Sequence, residues 1–242
     1  MKTLIIANWK ENFTMDEARK WVDVFNNNFS SLRSERFASG ESNTIQQFNK
    51  VVICPSFVLL PTTASEISKL EGVELGAQDV SKFEEGQYTG EVSAKMLKDF
   101  VSYVIVGHSE RRKHFGETDG DIALKIEQCL KHELTPIVCV SKVEQASTDK
   151  AIFAYEPLFA VGTGEPDTPK NAQKFAEKTK GKVGQNVRVL YGGSVNAENV
   201  KSFVSQPDID GVLVGQASLD PKEFSEIVNV VTTKVVIPTE RI

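Results

Sequence analysis

Eight short apolar runs, rich in β-branched residues and spread over the whole chain, constrain its fold more than any other feature of the sequence. They are Thr3–Ala7, Val51–Cys54, Val73–Gly76, Tyr103–Val106, Ile137–Val140, Ile152–Tyr155, Val187–Tyr191 and Gly211–Val214. Gly, Pro or polar residues bound them, and most precede an amphipathic stretch such as Asp16–Phe29, Thr118–Leu130 or Pro169–Thr179. Near-continuous apolar strands alternating with helices mean a parallel sheet covered by helices. Eight such units in 242 residues fit a closed (β/α)8 barrel better than an open doubly wound sheet. No Gly-rich dinucleotide fingerprint follows the first run, where an open nucleotide-binding sheet carries one. At 40 % hydrophobic the chain can fill one large core, and we read residues 1–242 as a single barrel domain. Helix starts are marked by Thr14 ahead of Asp16 and Glu17, by Asn196 before Ala197 and Glu198, and by Asp220-Pro221.

Two segments break the alternation. Arg33 to Lys50 is polar, with Ser, Gly and Asn and weak periodicity, and reads as an insertion on the loop leading into the second strand. The other break is a deficit. Only Ser141–Lys150 separate the fifth and sixth strands. A parallel crossover needs roughly a dozen residues, so the helix here is shortened or missing. Neighbouring helices would then expose an apolar flank, to be repacked locally or covered by another subunit.

A net charge of −5 argues against general binding to nucleic acid or a membrane surface. An anionic substrate would need a local cluster of donors. Cys54, Cys129 and Cys139 are odd in number and lack metal-ligand or redox spacing, as expected of reduced thiols in a cytoplasmic protein. Met1 to Lys10 holds too short an apolar run for a signal peptide, and no stretch reaches the length of a membrane span.

In a barrel of this kind the working groups come from the C-terminal ends of the strands. Those ends read Asn8-Trp9-Lys10, Gly107-His108-Ser109-Glu110-Arg111-Arg112, Tyr155-Glu156-Pro157, Tyr191-Gly192-Gly193-Ser194 and Val214-Gly215-Gln216-Ala217-Ser218. Taken singly, each has an ordinary reading: a solvated lysine, a structural histidine, a carboxylate in water, two tight turns. Convergence shifts the balance, because five strand ends supply complementary chemistry at one face.

These stretches resemble the triosephosphate isomerase family. The motifs are Ala7-Asn8-Trp9-Lys10, Tyr88 to Ser93, Val106 to Arg112, Ala154-Tyr155-Glu156-Pro157 running into Ala160 to Gly164, Tyr191 to Val195, and Gly211 to Leu219. They cover nearly the whole chain and keep the family's order. The resemblance implies the (β/α)8 TIM barrel fold and the interconversion of dihydroxyacetone phosphate and glyceraldehyde 3-phosphate, a step of glycolysis and gluconeogenesis. It implies Glu156 as the base that removes a carbon-bound proton. His108 would serve as the hydrogen-bond donor to the carbonyl and enediolate oxygen, and Lys10 as positive charge beside that oxygen. Asn8 would orient the substrate, and Glu110 would support proton movement from behind. Main-chain N–H groups of Gly162, Ser194, Gly215 and Gln216 would hold the phosphate. No metal and no cofactor is implied. Pro157 to Gly164 would be a lid that excludes water and keeps phosphate from being eliminated from the intermediate.

The chain departs from the family pattern at several points. Gln216 stands for a second glycine, and Phe159 for a tryptophan with an indole donor. Ser141-Lys142 stands for the Gly-Glu pair after the strand-five cysteine; in the family that glutamate lies close to the tryptophan, so both partners are lost together. Asp79 to Glu91 resembles the long loop through which family members form homodimers, its tip docking beside the partner's Lys10 and His108. Glu11 replaces an apolar residue common at that interface. Two other readings compete: a different phosphate-handling barrel enzyme, which would need neither the Gly107–Arg112 motif nor the lid, and an inactive barrel acting as a binding or scaffold protein.

Overall fold

The computed structural model describes residues 3–38 and 50–232. Eight parallel strands, β1 (Leu4–Asn8), β2 (Lys50–Cys54), β3 (Val73–Ala77), β4 (Tyr103–Val106), β5 (Thr135–Val140), β6 (Ile152–Tyr155), β7 (Val189–Tyr191) and β8 (Gly211–Val214), pair in chain order and close into a barrel. All eight apolar runs become strands, with ends shifted by a residue or two. Around them lie α1 (Met15–Ala38), α2 (Leu60–Ile67), α3 (Ala94–Leu97), α4 (Ser109–Phe115), α5 (Asp119–Lys131), α6 (Pro169–Val183), α7 (Val200–Val204) and α8 (Pro221–Thr232).

Alternation along each strand divides the apolar residues into two cores. Leu4, Ile6, Val52, Ile105, Ile137 and Leu213 are among those filling the barrel interior. Ile5, Ala7, Val51, Ile53, Val104 and Val212 point outward to the helices and join the larger core between barrel and helix ring. Aromatic rings knit that outer layer: Trp21 stacks on Phe25 at 5.0 Å, and both contact Phe224 of α8.

The helix starts behave largely as their residues dictate. Thr14 and Glu17 form a reciprocal box, the Thr14 amide donating to Glu17 Oε2 at 2.7 Å and the Glu17 amide to Thr14 Oγ1. Thr118 and Asp121 repeat it at α5, and Pro221 opens α8. Two boundaries need correction. Residues 33–38, read as part of an insertion, continue α1 instead, and residues 39–49 of that segment lie outside the described residues. Asn196 does not start α7. It exchanges hydrogen bonds with Asn199, whose side chain and amide it meets, and the helix begins at Val200.

The link between β5 and β6 holds one 3-10 turn, Val143–Gln145, as its length requires. Neighbours close over it. Lys182 of α6 donates to the carbonyls of Val143 and Glu144, Gln145 reaches Asp119 of α5, and Ala146 is fully buried. Among the described residues no large apolar side chain between Leu130 and Leu158 is exposed. The gap is repacked locally, which removes the need for a covering subunit.

Gly211 stands where β8 meets β1 and β7. A Cβ placed on it would lie 1.9 Å from the Leu4 carbonyl oxygen. We predict that Gly211→Ala lowers stability by about 3 kcal/mol or prevents soluble folding, read from the urea midpoint.

Candidate active site

Parallel strands place all their C-terminal ends at one rim, and there Lys10, His108, Glu156 and the β7 and β8 loops come together. A cavity of about 380 Å³ opens between them, lined by Asn8, Lys10, His108, Gly162, Ser194, Gly215 and Gln216 among others. Every residue expected to bind substrate is therefore on its wall, as is His108. Glu156 lies one layer behind, 2 % exposed, with its Oε1 3.2 Å from His108 Nε2.

The imidazole is held from both sides. His108 caps α4, and its Nδ1 accepts the Glu110 amide at 3.3 Å. An Nδ1 that accepts leaves the ring proton on Nε2, facing Glu156 and the cavity.

The Glu156 carboxylate is anchored through one oxygen only. Oε2 accepts the Ser109 amide at 2.9 Å, whereas Oε1 is buried without a hydrogen bond that satisfies both length and angle. An oxygen so placed keeps its lone pairs available. Behind it the buried Cys139 thiol is pushed well above its ordinary range, first by burial and then by the Glu156 charge. Gly192 gives the Glu156 side chain its room, and Gly193 does the same for Tyr191 and Pro157. An added Cβ on Gly192 would approach Glu156 Cγ to 3.2 Å, and one on Gly193 would approach the Tyr191 hydroxyl to 2.8 Å.

Lys10 reaches the cavity from β1 in a left-handed backbone conformation, φ 52°, that is uncommon for a residue with a side chain. Asn8 Oδ1 accepts its amide and Gln78 donates to its carbonyl, which holds the turn. Its Nζ pairs with Glu110 Oε1 at 2.5 Å. For Glu110, burial raises the carboxyl pKa, but the Lys10 hydrogen bond and the neighbouring positive charge outweigh it and hold the group below the usual range.

Ser194 binds the lid rather than only offering its amide. Its Oγ donates to the Ala160 carbonyl at 2.6 Å and accepts the Gly164 amide at 3.2 Å. Gln216 opens a one-turn 3-10 helix, a right-handed conformation open to any residue, so the missing glycine costs nothing in backbone strain. Glu223 of α8 also lines the cavity, unanticipated from the sequence because nothing at a strand end marks it. Burial and then the nearby carboxylates Asp220 and Glu226 raise its pKa. Among the described residues no group of His, Cys, Asp or Glu is placed to hold a metal ion.

Fold and site define a (β/α)8-barrel protein with lysine, histidine and carboxylate side chains gathered beside a cavity at one rim. A model of the family described as triosephosphate isomerase matches residues 3–231. Relatives named triosephosphate isomerase include one from Mesomycoplasma hyopneumoniae (strain 232), 39 % identical over 94 % of this chain and 98 % of its own length. One from Trichodesmium erythraeum (strain IMS101) has the same identity and coverage. One from Moorella thermoacetica (strain ATCC 39073 / JCM 9320) is 37 % identical over 94 % of this chain and 98 % of its own. The chain belongs to the triosephosphate isomerase family.

The Glu110 shift has a measurable consequence. Because its folded pKa is lowered, its contribution to stability is present above the unfolded value, near 4.5, and is lost as pH falls through the lower folded value. The difference in Tm between this chain and its Glu110→Gln variant is therefore expected to shrink as pH falls below about 4.5.

Proposed function

We propose that this chain interconverts dihydroxyacetone phosphate and D-glyceraldehyde 3-phosphate in a single (β/α)8 domain. The observation that carries the reading is the buried Glu156 carboxylate, one oxygen held by the Ser109 amide and the other unbonded beside His108 Nε2, at the edge of a cavity sized for a small phosphorylated sugar.

Phosphate would sit among the amides of Gly162, Ser194, Gly215 and Gln216, which places the carbonyl end of the substrate toward Lys10, Asn8 and His108. The Glu156 carboxylate turns from the Ser109 amide into the cavity and removes a proton from the carbon next to the carbonyl. Negative charge develops on the carbonyl oxygen, where the His108 Nε2–H donates and the Lys10 ammonium attracts. Glu156 then returns the proton to the adjacent carbon while His108 exchanges protons between the two oxygens. Glu110 keeps Lys10 extended toward the site through their ion pair. The lid over residues 157–164, seated on Ser194, shuts out water during these steps. Each proton removed is returned, so the substrate undergoes no net oxidation and no step is assigned to a metal or cofactor.

A homodimer through Asp79–Glu91 fits the same reading. Phe83 and Tyr88 stack face to face at 3.9 Å and are 36 % and 42 % exposed, an apolar tip on a loop that is otherwise polar. The base of that loop is pinned by charge: Asp79 meets Lys125 at 2.6 Å and Arg111 at 2.9 Å. Three buried free cysteines agree with a cytoplasmic location, and no helix among the described residues is long and apolar enough to cross a membrane.

In a coupled assay the purified chain is expected to turn over glyceraldehyde 3-phosphate, and Glu156→Gln to cut kcat by ~10³-fold or more with an unchanged circular dichroism spectrum. Folded protein without activity would overturn the enzyme reading in favour of a binding or scaffold protein. Sedimentation is expected to give twice the 26.7 kDa chain mass. The double variant Phe83→Asp, Tyr88→Asp is expected to sediment as a monomer.

A further inference from the structure

The lid is exposed along most of its length, Leu158 and Phe159 being 66 % and 64 % exposed, yet three residues beyond Gly164 the chain is buried again at Asp167, 6 % exposed. Among the described residues this carboxylate has no cationic partner within salt-bridge distance. It is satisfied instead by neutral donors from three directions. Oδ1 accepts the Thr168 amide at 2.7 Å and the Asn171 side-chain amide at 2.9 Å. Oδ2 accepts the Tyr155 hydroxyl at 3.1 Å, and the Asp167 amide donates to the Tyr191 hydroxyl at 2.8 Å. A residue that merely helped to start α6 would need only the first pair, since Thr168 already caps that helix. The two tyrosine contacts go beyond capping. Tyr155 precedes Glu156 in the chain and is clamped on Phe175 with ring centres 4.0 Å apart. Tyr191 precedes Gly192, against which the Glu156 side chain rests.

We propose that Asp167 is a positioning residue for the isomerisation, its side chain latching the C-terminal hinge of the lid to Tyr155, the residue before the base. The proposal rests on the function given above. Ser141-Lys142 follow β5 here, so that strand end carries no carboxylate. Asp167 supplies one to the Tyr155 hydroxyl from the C-terminal hinge of the lid. With the hinge fixed at this joint, the lid returns to the same seat on Ser194 at each closure. Without it, the enediolate is exposed for longer and partitions toward elimination. In that side reaction the C–O bond to phosphate breaks as the enediolate electrons form a new double bond. Inorganic phosphate leaves with the bonding pair, and the remaining enol takes a proton on carbon to give 2-oxopropanal.

The test measures isomerisation and inorganic phosphate release together. For Asp167→Ala we expect kcat to fall ~10-fold and phosphate released per isomerisation to rise ~10-fold, with KM changed less than about twofold. Asp167→Asn keeps the Oδ1 contacts and lets the Tyr155 hydroxyl reverse its role, so it should restore most of the partition. Tyr155→Phe should act in the same direction as Asp167→Ala and add nothing to it in the double variant. A fall in Tm with an unchanged phosphate-to-isomerisation ratio would overturn the proposal, as would additive effects in the double variant. Should Asp167→Ala not fold, the Asn and Phe variants decide alone. Failure of the unsubstituted chain to isomerise would instead overturn the function, so the two outcomes are distinct.

Discussion

The amide of Leu4 donates to the carbonyl of Asp210 at 3.0 Å, and the register from Leu4↔Gly211 to Ala7↔Val214 joins the first strand to the last. With that seam made, every strand is paired on both sides and the sheet has no edge. The seam is tight because Gly211 has no side chain where the Leu4 carbonyl passes. Closure also decides where chemistry can occur. Parallel strands in a ring deliver eight C-terminal ends to one rim, so Lys10 and Glu110, a hundred positions apart in sequence, form an ion pair across a few ångströms.

At that rim hydrogen bonds distribute the charges before any substrate arrives. Glu110 neutralises Lys10, the Glu110 amide occupies His108 Nδ1, and the Ser109 amide occupies one oxygen of Glu156. Both the tautomer of the histidine and the free lone pairs of the base follow from these contacts. The arrangement carries local costs, namely a left-handed Lys10 and a buried carboxylate oxygen without a donor. Such costs persist only where the surroundings hold the groups in place, and here neighbouring side chains, backbone amides and the two glycines that follow β7 do so.

The shortened link between β5 and β6 shows how little of the helix ring the rim depends on. Gln145 folds back to accept the Ser141 and Lys142 amides, α5 and α6 lean onto the turn, and β5 stays buried from Pro136 to Val140. Its effect reaches the lid. With Ser141-Lys142 after β5 and an exposed Phe159 in the lid, the lid's fixed points lie in the loop after β7 and within the hinge itself, at Ser194 and Asp167.

Local pattern alone determined the eight strands, the caps at Thr14 and at Asp220-Pro221, the short link, and the residues carried to the cavity, because each is written within a few consecutive positions. Periodicity reports burial, and turn chemistry reports element ends. The resemblance to one family added roles to Glu156, His108 and Lys10 that spacing could not supply. Sequence reading failed at residues 33–38, where weak periodicity in a polar tract gave no sign that α1 continues to Ala38. Tertiary structure alone decided the Ser109 amide on Glu156, the place of Glu223 on the cavity wall, and the bonds from Asp167 to Tyr155 and Tyr191. Those contacts join residues far apart in sequence or on separate elements, so they exist only once the closed ring has set the register that brings them within hydrogen-bonding distance.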